Sequence, residues 1–85
     1  MYSFTLTLSG PDIMNDAALN ALFEAGCDDA TFSAREGRQG ASFDREANSF
    51  ADAVGSAIAD VEGAKLGLAV LRVEREEPLL VSSVA

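Results

Sequence analysis

The sequence has no histidine and no tryptophan, a single cysteine, two prolines and only 6 Lys and Arg residues among 85. Each shortage excludes a class of chemistry. Without histidine there is no Ser-His-Asp triad, no Cys-His dyad, no HExxH zinc site and no His-ligated zinc finger. A lone Cys27 cannot close an internal disulfide. Fourteen acidic residues against 6 basic ones leave a formal charge of −8. That is the wrong sign for a nucleic-acid backbone or an anionic membrane, both of which attract basic patches. No apolar run approaches the ~20 residues of a membrane-spanning helix. The start, Met1 to Leu8, has neither a basic segment nor a continuous apolar one, so it does not read as a secretion signal. With one free thiol, this predicts a cytoplasmic protein.

What is present is enough for one small domain: 48% of the residues are hydrophobic. Tyr2, Phe4, Leu6 and Leu8 alternate with Ser3, Thr5, Thr7 and Ser9, the period of a strand with one oily and one hydroxylated face. Gly10-Pro11 ends it. Asn15 or Asp16, with Asp12 as an earlier candidate, caps a helix whose apolar stripe is Ala18, Leu19, Leu22, Phe23 and Ala25. Gly26 stands where a left-handed C-terminal residue belongs. Ala30, Phe32 and Ala34 mark a second strand, Gly37 to Gly40 a turn, and Ala41 and Phe43 a third strand. Ser49 with Asp52 fits a capping box for a second helix carrying Phe50, Val54, Ala57, Ile58 and Val61, with Gly63 as its expected stop. Residues 66–73 are the expected fourth strand, with Leu66, Leu68 and Val70 on one face and Leu71 and Val73 on the other. Pro78 ends any ladder.

The order strand, helix, strand, strand, helix, strand predicts an α+β, ferredoxin-like βαββαβ sandwich, a four-stranded antiparallel sheet with both helices on one face. The domain spans 1–78, and 79–85 is a short apolar tail. Phe23, Phe32, Phe43 and Ile58 are expected to dominate the core. The other sheet face then presents small and hydroxylated side chains. Thr5, Thr7, Ser33, Ser42, Ala69, Leu71 and Val73 are the candidate interface residues, suited to a homodimer or higher homo-oligomer.

Other signals are weaker. Base-stacking aromatics of an RNA-recognition motif are replaced by Thr5, Thr7, Ser42 and Asp44. Ser9-Gly10-Pro11-Asp12 stands where a heavy-metal carrier has Cys-x-x-Cys. The glycine-rich string from Gly37 to Phe43 lies in the central hairpin, not after strand one as in acylphosphatases. Asp28-Asp29 and Glu74, Glu76 and Glu77 lack the spacing of a calcium loop and read as solvated charge. Cys27 reads as a semi-buried filler. Gly10-Pro11-Asp12 resembles the start of an ACT-type amino-acid-sensing domain, making Gly10, Asp12 and Asn15 a candidate turn for a small carboxylate. No catalytic, metal or cofactor residues are assigned.

The strings Leu8 to Asp12, Ala21 to Phe32 and Phe43 to Ala47, with the Phe50–Val61 helix and Val73-Glu74, resemble the N-terminal region of a family of small bacterial proteins of uncharacterised function. The resemblance runs to about Val81. Fuller members carry a helix-turn-helix segment next, and this chain stops where that segment would begin. The resemblance therefore implies an accessory, oligomerising or regulatory domain of a DNA-binding module, without direct nucleic-acid contact of its own.

Overall fold

The computed structural model describes residues 1–75. The expected ladder end at Pro78, the 1–78 boundary, Glu76, Glu77 and the 79–85 tail lie outside the described residues. Six elements follow one another: β1 (Tyr2–Ser9), α1 (Asp16–Glu24), β2 (Ala30–Arg35), β3 (Arg38–Arg45), α2 (Phe50–Gly63) and β4 (Ala69–Arg75). The strands form one antiparallel sheet in the order β2-β3-β1-β4. Ala18 and Leu22 of α1, and Ala53, Ala57 and Val61 of α2, share one core with Phe4, Leu6 and Leu8 of β1. Both helices therefore cover the oily side of the sheet, in a ferredoxin-like arrangement. Among the described residues, no helix is long and apolar enough to cross a membrane.

Local chemistry sets the element ends. Asn15 caps α1, its side chain accepting from the Ala18 N–H at 2.9 Å, and Ser49 caps α2 by accepting from Asp52 N–H at 3.1 Å. The β2–β3 hairpin is tighter than the expected four-residue turn. Arg35 pairs with Arg38, and Glu36 and Gly37 make a two-residue loop at φ 53° and 78°. Two positive φ values are what a type I′ hairpin turn needs to match strand twist. The expected stop at Gly63 falls two residues short. Gly63 is still helical, Ala64 is the C-cap, and Lys65 takes the left-handed conformation at φ 60°.

The centre of the core is aromatic. Phe4 and Phe43 stack at 5.5 Å, and Phe50 meets Phe4 edge-on at 5.8 Å. Of the four expected core residues only Phe43 is fully buried. Phe32 and Ile58 pack at its margin, and Phe23 is 51% exposed. Helix α1 is only nine residues long, and Ala18 and Leu22 already occupy its inward stripe, so Phe23 rotates outward.

Gly10 is held in a tight corner. Its φ is +126°, and a Cβ there would lie 2.6 Å from the Gly67 carbonyl oxygen. Gly10→Ala is expected to cost about 1–3 kcal/mol in urea denaturation, as forced strain plus a backbone clash. An unchanged midpoint would contradict this close approach of the β1 end to the β4 entry.

Candidate functional site

The free side of the sheet is built by strand alternation. Successive side chains point to opposite faces, so burying Phe4, Leu6 and Leu8 sends Ser3, Thr5, Thr7 and Ser9 outward. Pairing brings Thr5 level with Ser42, Ser3 with Asp44 and Thr7 with Gly40. On the far side of β3, Thr31 lies beside Ser42 and Ser33 beside Gly40. Ser3 donates to Asp44 Oδ1 at 2.6 Å, and the Thr5 and Ser42 hydroxyls are 3.1 Å apart. The candidate residues Thr5, Thr7, Ser33, Ser42, Ala69 and Leu71 therefore share one face.

Val73 does not join them. Thr7 pairs with Arg72 but Leu8 pairs with Val70, leaving Leu71 as the extra residue of a β-bulge. One inserted residue reverses the phase of everything beyond it. Val73 is thus level with Leu6 on the helix side, while Leu71, Arg72 and Glu74 belong to the free face. Unlike buried Leu6, Val73 stays 38% exposed because β4 is an edge strand. The expected strand 66–73 is displaced to Ala69–Arg75.

The bulge changes the chemistry of the face. Leu71 is 67% exposed there. A groove of about 560 Å³ runs over Thr7, Ser9 and Gly10, between Arg38 of β3 and Arg72 of β4. Arg72 pairs with Glu74 at 3.0 Å in an exposed contact. Arg35, Arg38 and Arg72 make half of the chain's 6 cations, and all lie towards the hairpin end. Two carboxylates of this face, Asp44 and Glu74, lie towards the other end, while Glu36 sits in the hairpin loop beside Arg35 and Arg38. The face expected to carry small and hydroxylated side chains is therefore also charged, with more cations towards the hairpin end and Asp44 and Glu74 towards the other. Sequence reasoning missed Arg38 by placing it in the turn, and Arg72 and Glu74 by running β4 without a bulge.

Gly10, Asp12 and Asn15 behave differently. Asp12 accepts from the Met14 N–H at 3.0 Å, and Asn15 is committed to the α1 cap. Gln39 reaches across from β3, accepting from the Ile13 N–H at 2.6 Å and donating to the Pro11 carbonyl at 2.8 Å. A shallow pocket of about 250 Å³ adjoins Gly10, Asp12 and Gln39, and Asn15 takes no part in it. The N–H groups that a carboxylate would take at Ile13, Met14 and Ala18 are already used by side chains of the chain itself.

The densest polar cluster was unforeseen. Arg45, at the end of β3, has an 11% exposed side chain. Its Nε and Nη2 donate to both Asp29 oxygens at 2.7 and 2.8 Å. Nη2 also reaches the Gly26 carbonyl at 2.9 Å, and Nη1 reaches Ser56 Oγ and Asp60 Oδ2 at 3.0 Å each. The guanidinium lies 5.0 Å from the Phe43 ring centroid. Asp29 is therefore not solvated charge. The Arg45 hydrogen bond holds its carboxyl below the usual aspartate range, and Arg45 is pushed further up, chiefly by Asp29. Gly26, at φ +114°, approaches Asp60 closely; a Cβ there would lie 2.8 Å from Oδ2. Every donor of this cluster points to a protein acceptor, so it ties β3 to α2 and to the α1–β2 connection and offers no open coordination.

Cys27 is fully buried, rather than semi-buried. Burial first, and then the charge of Asp60, push its thiol up to about 11, which leaves little thiolate near neutral pH. Among the described residues, no group of three or more Cys, Asp or Glu side chains is placed to hold a metal ion. Comparison with protein-family models, with curated proteins and with solved structures finds no match to this chain.

Proposed function

We propose that this is a non-enzymatic interaction domain whose docking surface is the free face of the sheet, accessory to a transcription-regulator-type DNA-binding module. The observation that carries the reading is Leu71. The bulge displaces it onto the free face, where it stands 67% exposed beside the groove that Thr7, Ser9, Gly10, Arg38 and Arg72 line. A large apolar side chain exposed beside a groove suits burial against a partner. The regulatory setting rests on the resemblance of residues 8–81 to domains that precede a helix-turn-helix segment.

Site-specific photo-crosslinking in the native host tests the surface. A benzophenone side chain replacing Leu71 is expected to give a discrete adduct, with the partner peptide identified by mass spectrometry. The same group replacing Ala59, exposed on the outer side of α2, is expected to give none. Equal labelling from both positions, or none from either, overturns the free face as the docking surface.

A further inference from the structure

We infer that the occupant of the free face is a second copy of this chain, packed face to face about a two-fold axis that runs across the strands through the row Phe32–Ala41–Leu6–Val73. This rests on the docking reading above and adds the partner and its orientation.

The symmetry follows from the register. A two-fold that brings two faces together lies in the plane between them, either along the strands or across them. An axis along the strands would set the Asp44–Glu74 end of one copy on the same end of the other, and the three arginines on three arginines. An axis across the strands sets each end on its opposite.

The position of that axis is also determined. Phe32 is level with Ala41, Ala41 with Leu6, and Leu6 with Val73. About this row, Arg38 and Asp44 of β3 stand three residues to either side. Arg72 and Glu74 of β4 stand one residue to either side. One dyad therefore places Arg38 over the second copy's Asp44 and Arg72 over the second copy's Glu74, each twice. The same dyad sets Thr7 over Thr5 and Gly40 over Ser42, so small side chains meet where the sheets are closest. The Ser3–Asp44 pair of the second copy enters the groove between Arg38 and Arg72.

The geometry tolerates sheet twist. Packed sheets cross at about −30°. Three residues from the dyad is ~10 Å along a strand, so the sideways offset there is about 5 Å, within the reach of an arginine side chain. Four strands ~4.8 Å apart and about seven residues long present ~450 Å² per copy. The ~900 Å² total falls below the ~1,200 Å² of a standard stable interface. The dimer is accordingly weak, concentration-dependent and salt-sensitive.

Sedimentation equilibrium on the full 85-residue chain, from about 20 μM to about 1 mM at low salt, tests this. Wild type is expected to dimerise in that range and to weaken in high salt. Arg38→Asp and Asp44→Arg each set like charges face to face, and each is expected to weaken the dimer by about 10-fold or more. An equimolar mixture of the two variants restores both contacts and is expected to form a heterodimer near wild-type strength. The double variant Arg38→Asp/Asp44→Arg is expected to do the same. If either single variant loses its circular-dichroism spectrum, the pair Arg72→Glu and Glu74→Arg carries the same design. A wild-type dimer that ignores these reversals, or single variants that fail to recover on mixing, overturns the dyad. A strictly monomeric wild type overturns the second copy as occupant. The docking surface itself then stands or falls on whether the adduct at position 71 contains a different protein.

Discussion

Replacing Arg45 with alanine is expected to remove about 2–3 kcal/mol of stability, less than for a fully buried ion pair because the Asp29 and Asp60 side chains are 28% and 31% exposed. That is a large share of what a domain of this size possesses. Five hydrogen bonds disappear together, and Asp29, Asp60 and the Gly26 carbonyl lose their donor. Arg45→Lys rescues little, because an ammonium cannot satisfy both Asp29 oxygens and the acceptors of α2 at once. Removing Asp29 and Asp60 together with Arg45 is expected to cost less than removing Arg45 alone, since no unpaired carboxylate is then left behind. Urea denaturation reads these differences. A loss under about 1 kcal/mol for Arg45→Ala would show that the cluster is a surface ornament.

The same cluster sets an acid limb. Asp29 titrates lower in the folded chain than its usual 3.8. The stability it contributes is therefore fully present above that value and is lost as pH falls through the lower native one. Thermal melts between about pH 6 and pH 2 are expected to fall across that window in wild type, and to fall less steeply in Arg45→Ala, where Asp29 has no cation beside it. Parallel curves for the two proteins would contradict the assignment.

Phe43→Ala is the second large effect, at about 3–5 kcal/mol. The ring is fully buried, stacks on Phe4 and lies 5.0 Å from the Arg45 guanidinium. The vacated volume lies between β3, β1 and α2, where neither strand can collapse inward without breaking its ladder. Phe23→Ala is the matching control. Half of that side chain already meets solvent, so its loss is expected to cost about 1 kcal/mol or less. Equal losses for the two phenylalanines would mean that the rotation of α1 is wrong.

Those two phenylalanines mark where the sequence was legible. Alternation in β1 is strict over eight residues, so both faces of the central strand could be read directly, and with them the hydroxylated free side. The caps Asn15 and Ser49 were legible because a side-chain acceptor at that position has a local purpose. Helix α1 was less so. Leu19, Leu22, Phe23 and Ala25 span more of its circumference than nine residues can bury, and only the sheet beneath decides which of them turns inward.

The sequence by itself determined the element order, the ferredoxin-like arrangement, the Phe43 anchor and the absence of histidine chemistry. Each depends on local periodicity or on composition. Tertiary structure alone decided the phase of β4, the partners of Arg45 and the separation of charge along the free face. The bulge at Leu71 is one residue, invisible to an apolar run that reads equally well in either phase, yet it moves Val73 to the helix side and brings Arg72 and Glu74 to the free side. Asp29 and Asp60 lie 16 and 15 residues from Arg45 on either side, and only closure of the sheet under α2 brings opposite charges close enough to bond. The net charge of −8 was evident from composition; that three of its six cations, Arg35, Arg38 and Arg72, gather at one end of one face was set by strand register.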